Sequence, residues 1–208
     1  MLKIILKDGI YNMKIKQKLL LSIFLFGVTF LLCAEDKSFF EGVWGCNYGM
    51  SRNEVEEIIS QKTGISRTQL RGRGLTYSSE ICDQEGLLQQ SGLISGFAIY
   101  AEHWNQRGLL TYAGMIVDGI TFSFINDQLT CIHVQSKDNK DKINTGLQKL
   151  IDKYSFSLID SDGGKRKYKS GNIEFYYNNG WGNGFTFLNT YVKDWYIKKV
   201  KEIRKDDF

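Results

Sequence analysis

The segment Gly49-Met50-Ser51-Arg52-Asn53-Glu54-Val55 predicts the start of a helix more clearly than any other part of the chain. Ser51 is a typical N-cap residue, Glu54 three positions later completes a capping box, and Met50 can pack against Val55 across the cap. After this start, Val55, Ile58 and Ile59 fall on one helical face, and Gly64 suits a left-handed C-cap. We therefore predict a helix that begins after Ser51 and ends at Gly64.

A targeting segment precedes this helix. Met13 is followed by three lysines, by an apolar run of 14 residues from Leu19 to Leu32, and by Cys33-Ala34 before two acidic residues. A basic region, an apolar region of this length and a small residue before charges are typical of a secretory signal peptide. We predict such a peptide over residues 1–34, with Met13 as an alternative start. A retained membrane helix is the weaker alternative, because a membrane span needs about 20 apolar residues.

Two processing routes fit the end of this segment. Cleavage after Ala34 satisfies the small-residue rule at one position. Alternatively, Phe30-Leu31-Leu32-Cys33 resembles a loose bacterial lipobox, in which Cys33 would be lipidated. Both routes predict an exported protein, either periplasmic or anchored through a lipid, whose only contact with a membrane is that lipid.

The excess of basic charge lies in the targeting segment. The chain has 27 Lys and Arg against 23 Asp and Glu, but residues 1–34 hold five of the basic residues and one of the acidic ones. The remaining 174 residues carry 22 of each, so the main support for a nucleic-acid partner disappears. That length is enough for one domain or two small ones.

Two α+β units follow one another along the chain. Residues 35–136 carry the capped helix, then a stretch without clear periodicity over residues 65–90, predicted to be loop or short irregular strands, and then alternating apolar strands. Among the strands, Asp118-Gly119 predicts a two-residue hairpin turn and Asn126-Asp127 a second turn. Residues 137–208 repeat this order and end in a helix. We predict an α+β fold in which helices pack on one face of antiparallel β-meanders, arranged as two tandem units.

This order of elements resembles that of small bacterial envelope proteins. The capped helix within residues 43–65, placed after a secretion signal and before a meander that closes on residues 124–129, is similar to the outer-membrane assembly lipoprotein BamE (SmpA/OmlA) group and to the β-lactamase-inhibitor-protein-like fold. The chain contains no proline, so the Gly-x-Pro segment usual in the BamE group is missing. The resemblance implies a non-catalytic module that binds an envelope protein, and it assigns no functional residue.

One pair of side chains could form a nucleophile and a base. Cys131 and His133 lie two residues apart on a strand and so share a face, with Asp118 or Glu102 as groups that could orient the imidazole. That face is also expected to carry Ile120, Phe122 and Phe124. We therefore interpret the pair as part of the core, and we predict no catalytic residue, no cofactor and no enzyme activity.

The cysteines fit disulfide formation better than metal binding. Cys46, Cys82 and Cys131 remain after either processing route, and two of them can pair in an oxidising compartment. The sequence leaves all three pairings open, with Cys46 and Cys82 as the candidate pair. No CxxC spacing occurs and the chain has only two histidines, so we predict no metal site.

Aromatic and basic residues concentrate near the C-terminus. Ten of the chain's 28 aromatic residues fall between Tyr168 and Tyr196, and neighbouring rings on one strand cannot all face the core. We predict a binding surface made of Tyr176, Trp181, Trp195, Lys165, Arg166 and Lys167. The first hypothesis is a secreted or envelope-associated protein-binding module, either an assembly accessory or an inhibitor. The alternative is a cell-wall glycan-binding or weakly glycan-processing protein that uses the aromatic residues of 168–196.

Overall fold

The computed structural model describes residues 41–72, 77–104, 110–178 and 183–206, and it confirms an α+β fold. The predicted signal peptide over residues 1–34, including Cys33, lies outside the described residues. The helices are α1 (Arg52–Thr63), α2 (Arg67–Arg71), α3 (Leu87–Gln90), α4 (Lys140–Tyr154) and α5 (Thr190–Asp206), with 3-10 turns η1 (Ser79–Ile81) and η2 (Ala101–His103). The described parts of the stretch 65–90, residues 65–72 and 77–90, thus hold short helices where short irregular strands are one prediction, because elements of three to five residues are too short to show a helical period.

All the strands belong to one antiparallel sheet. They are β1 (Ile94–Tyr100), β2 (Thr111–Tyr112), β3 (Met115–Ile125), β4 (Gln128–Ser136), β5 (Ser157–Asp162), β6 (Lys165–Ser170), β7 (Ile173–Asn178) and β8 (Gly184–Asn189). Their order is β1-β3-β4-β8-β7-β6-β5, and β2 pairs with the start of β3. Residues 35–136 and 137–208 therefore each contribute a run of strands, and the two runs meet where β4 pairs with β8.

Helix α1 begins and ends as predicted. The Ser51 hydroxyl accepts a hydrogen bond from the Glu54 N–H, and the Glu54 carboxylate accepts one from the Ser51 N–H at 2.7 Å. Gly64 ends the helix with a φ of 72°, in the left-handed region. Val55 and Ile59 are fully buried, so the predicted apolar face is the one that packs on the sheet.

The sheet separates two apolar cores. On the first face, side chains such as Phe122 and Ile132 pack with α1 and α4. On the second face, Cys131 and Leu188 pack with η1, α3 and α5. The long helices α1 and α4 therefore share one face, whereas α5 covers part of the other, so the prediction that the helices pack on one face of the sheet does not hold for α5.

The hairpin turn predicted at Asp118-Gly119 is wrong, because both residues lie inside β3. The pairing with β4 passes from Val117 to Gly119, so Asp118 forms a bulge. Gly119 has no positive φ; a Cβ at this position would instead come within 2.8 Å of Tyr100 and of Gln135. A glycine inside a strand often marks such a bulge or close approach. Positive φ at both residues of a two-residue turn occurs at Ala113-Gly114, at Gly163-Gly164 and at Asn126-Asp127, where the sequence predicts a turn.

A second bulge decides which face Cys131 and His133 occupy. After the turn, Phe124 pairs with Leu129 but Ser123 pairs with Cys131, so Thr130 is an extra residue in β4. An unbroken register would pair Cys131 with Phe122 and turn it toward the first core. The prediction that Cys131 and His133 share a face with Ile120, Phe122 and Phe124 is therefore wrong, and both lie on the second face.

Candidate functional site

The outward side of α5 carries exposed aromatic side chains. Tyr191 is 63% exposed and Trp195, one turn later, is 45% exposed. The Lys199 ammonium lies 4.9 Å from the centroid of the Trp195 ring, within range of a cation–π contact. Tyr196 and Val200 point the other way and are buried, because the helical period places them toward the second core. The α5 surface comprises Tyr191, Asp194, Trp195, Lys198, Lys199 and Glu202.

Polar contacts along α5 hold the helix against the body. The Lys193 ammonium donates to the Glu80 carbonyl at 3.0 Å, and Asn126 Nδ2 donates to the Tyr196 hydroxyl at 2.7 Å. Further along, two more side chains reach across to the segment around α3: Lys201 to Glu85 and Arg204 to Gln90, both at 2.7 Å. The helix is fixed at both ends, so the outward aromatic rings stand on a supported backbone.

Two residues of the predicted binding surface meet on the second face. Lys167 Nζ lies 5.2 Å from the centroid of the Tyr176 ring and 2.9 Å from Glu174 Oε2. The same carboxylate accepts the hydrogen bond of the Tyr176 hydroxyl. Although burial acts to raise the pKa of Glu174, the Tyr176 hydroxyl and the Lys167 ammonium hold it below its ordinary value. These three groups therefore satisfy one another.

The other predicted surface residues that the structure describes are not part of this cluster. Lys165 shares the second face with Lys167, two residues away on β6, and is exposed. Arg166 alternates to the first face, where it pairs across the strands with Tyr177. Trp195 belongs to the α5 surface, and Trp181 lies outside the described residues.

Cys131 and His133 have separate partners on the second face, Ser78 for the thiol and Thr186 for the imidazole. His133 Nδ1 lies 2.8 Å from Thr186 Oγ1, and burial lowers the pKa of the imidazole. Burial raises the pKa of the Cys131 thiol, which therefore stays protonated at neutral pH and is a weak nucleophile.

The two groups predicted to orient the His133 ring have partners of their own. The Asp118 carboxylate lies 3.4 Å from the Lys137 ammonium. The Glu102 carboxylate lies 3.7 Å from His103 Nε2. His133 is thus hydrogen-bonded to Thr186, and the Cys131 thiol on the same face is not in the reactive thiolate form.

Cys46, Cys82 and Cys131 are free thiols in the structure. Cys46 lies in the first core and Cys131 in the second, on opposite faces of the sheet, while Cys82 is half-buried. Pairing of Cys46 with Cys82 stays a prediction. Within the described parts of the chain, no group of three or more His, Cys, Asp or Glu side chains is placed to hold a metal ion.

A strip of uncharged side chains crosses the second face away from its apolar core. Strand pairing aligns Tyr100, Gly119, Gln135 and Gly184 in one row, with His133 and Thr186 in the next. Tyr100 is 41% exposed, while Gln135 and His133 are half-buried. We call these six residues the neutral strip. Sequence reasoning misses it because strand register creates the rows, and because the one local signal, Gly119 after Asp118, predicts a turn.

Comparison of the chain with protein-family models, curated proteins and solved structures finds no match. None of the helices in the described parts of the chain combines the length and the apolar character that a membrane span requires. The resemblance to the BamE group stays a prediction, and the function has to be argued from the surfaces of this chain.

Proposed function

We propose that the mature protein is an exported, envelope-associated binding module that contacts a protein partner through the α5 surface. The proposal rests on the exposure of Tyr191 and Trp195 on a helix whose inward side is tied to the body of the protein. Trp and Tyr are enriched among the few residues that supply most of the binding energy at protein interfaces. Lys198, Lys199 and Glu202 would form the polar rim that commonly surrounds such residues.

The proposed export rests on the basic and apolar regions that precede Glu35. Intact mass of the protein purified from the cells that produce it tests this part. A chain that starts at Glu35 would support release after cleavage, and an acylated chain that starts at Cys33 would support lipid anchoring. A chain that still starts at Met1 or Met13 would contradict processing by either route.

A binding role is favoured over a catalytic one because the polar groups beside the aromatic rings are already engaged. Tyr176, Lys167 and Glu174 bond to one another, and the Cys131 thiol is buried and protonated. Glycan binding through the aromatic residues of 168–196 has less support at Tyr176, because the Lys167 ammonium lies over its ring and the Glu174 carboxylate accepts the hydrogen bond of its hydroxyl.

Site-specific photo-crosslinking tests the proposed contact. A photoreactive phenylalanine analogue placed at position 195 of the full chain, in its own cells, should yield one dominant adduct with an envelope protein that mass spectrometry can identify. The same analogue at position 152, an exposed site on α4, is the control and should not yield that adduct. Equal adducts at both positions, or none at 195, would overturn the proposal.

Affinity measured with the identified partner gives the quantitative form of the test. Trp195→Ala should weaken binding by about 30-fold or more, since hot-spot residues contribute at least about 2 kcal/mol. Tyr100→Ala removes an aromatic ring of similar exposure from a different surface and should leave the affinity within about twofold. Equal losses for the two variants would mean that the α5 surface is not the interface.

A further inference from the structure

The geometry points to a second site: we propose that the neutral strip binds a neutral saccharide chain, independently of the α5 surface. Its two glycines leave room for rings that lie across the strands. A Cβ on Gly119 would come within 2.8 Å of Tyr100 Cδ1 and 3.1 Å of its Cε1, and a Cβ on Gly184 within 2.6 Å of His133 Cε1. Each ring therefore rests on bare backbone, and Tyr100 is 41% exposed, with the His103 ring 6.1 Å away between centroids.

The hydrogen-bonding groups of the strip suit hydroxyl groups. The Gln135 side chain lies between the two rings and offers both a donor and an acceptor. His133 Nδ1 is hydrogen-bonded to Thr186 Oγ1. The opposite edge of the imidazole, with Nε2, therefore lies over Gly184. A sugar ring has an apolar face of C–H groups that stacks on an aromatic ring and a rim of hydroxyls that bond to amides. Tyr100 and Gln135 supply those two kinds of contact side by side.

The absence of charge within the strip sets the class of ligand. Tyr100, Gln135 and Thr186 are uncharged, and burial lowers the pKa of His133, which keeps the imidazole neutral at physiological pH. The nearest cations along the two rows are Lys167, whose ammonium is bound to Glu174, and exposed Lys165, two strands beyond Gly184. Among the described residues, the one charge that acts on His133 itself is the carboxylate of Glu80, which would repel an anion. An anionic ligand such as a phosphate would need unpaired cations, whereas a neutral saccharide does not.

The length of the strip indicates a chain of sugars and not a single one. Gly119, Gly184 and Thr186 are buried, so the groups that a ligand can reach run from Tyr100 on β1 to Gln135 and His133 on β4, two strand spacings away, or about 10 Å across the sheet. The row is straight because each residue pairs directly with its neighbour in the next strand. Such a surface offers successive contacts to a short oligosaccharide.

Pairing of an aromatic ring with a glycine on the next strand also stabilises sheets, so stability has to be measured together with binding. Chitohexaose, cellohexaose and maltohexaose are titrated into the purified mature protein by calorimetry. At least one should bind saturably, and Tyr100→Ala should weaken that binding about tenfold or more because the stacking ring is lost. Tyr100→Phe keeps the ring and should retain most of the affinity, which separates stacking from a general loss of folding.

Matched variants make the result decisive. Tyr191→Ala removes an exposed tyrosine from α5 and should leave saccharide binding within about twofold. Gln135→Leu should weaken binding without changing the unfolding temperature by more than about 2 °C. Three outcomes would each overturn the proposal: no binding of any of the three sugars at about 10 mM, a Tyr100→Ala variant that binds like the wild type, or losses that follow Tyr191.

Discussion

Replacement of Gly146 by Ala should destabilise the protein, although a glycine inside a helix is ordinarily a weak point. Gly146 lies within α4, where Ala would improve helix propensity by about 1 kcal/mol. In the structure, however, a Cβ at this position would lie 2.5 Å from Met115 Sδ and 2.6 Å from Met115 Cε and Cγ. Met115 is 1% exposed at the start of β3, so its side chain has little room to move away.

The expected size follows from these opposing effects. An added methyl group in a packed core costs about 1–3 kcal/mol, and the gain in propensity offsets about 1 kcal/mol of it. The net change is therefore a loss of about 0–2 kcal/mol, or roughly 2–4 °C in unfolding temperature for each kcal/mol lost in a chain of this size. Urea unfolding of the mature protein, followed by tryptophan fluorescence and circular dichroism, measures the free energy.

Two companion variants separate propensity from packing. Thr145→Ala changes the exposed neighbour of Gly146 on the same helix and should alter stability by no more than about 0.5 kcal/mol. Met115→Val shortens the obstructing side chain, so Gly146→Ala should cost less in that background than in the wild type. Stabilisation of the wild-type background by about 1 kcal/mol on Gly146→Ala would refute the reasoning, because only propensity would then be acting.

Three further predictions concern the N-cap of α1, the loss of stability at low pH and the reactivity of the cysteine thiols. Ser51→Ala should lower the free energy of unfolding by about 0.5–2 kcal/mol, measured in urea, because α1 loses its N-cap acceptor. Burial acts to raise the pKa of Asp138, but the Ile116 N–H at 2.5 Å and the Lys142 ammonium hold it below its ordinary value. Its carboxylate therefore stabilises the fold above about pH 4 and loses this effect as the pH falls through the folded-state pKa, so Asp138→Asn should flatten the acid limb of a stability–pH curve. Burial raises the pKa of Cys46 to about 12, so a thiol reagent should label half-buried Cys82 in the native reduced protein and reach Cys46 only after urea unfolding.

The elements with local signals could be predicted from the sequence. Helix α1 follows from a capping box, an apolar period and a terminal glycine that all lie within 14 residues. The turn at Asn126-Asp127 is equally local, since both residues tolerate the positive φ that the turn requires. Such signals depend only on residues that are close in the chain, so the pairing of distant strands does not change them.

The faces of β4 could not be predicted, because they depend on one extra residue. Nothing in the identity of Thr130 marks it as a bulge; its side chain is fully buried and its hydroxyl donates to the Gln128 carbonyl at 2.8 Å. Yet this single insertion moves Cys131 and His133 from the first core to the second face. The alternation of side chains along β4 is therefore predicted correctly, while the face predicted for Cys131 and His133 is wrong.

Gly119 shows why the neutral strip has no signature of its own in the sequence. In a two-residue turn a glycine provides positive φ, whereas in β3 the same missing Cβ makes room for the Tyr100 ring. The two uses cannot be distinguished at Gly119 itself, because the deciding residue lies 19 positions earlier and meets it only through the pairing of β1 with β3. An alanine at position 119 would suit a strand better by propensity and would still displace the ring. The strip is thus a property of strand register, and its chemistry becomes visible only when residues from β1, β3, β4 and β8 are placed side by side.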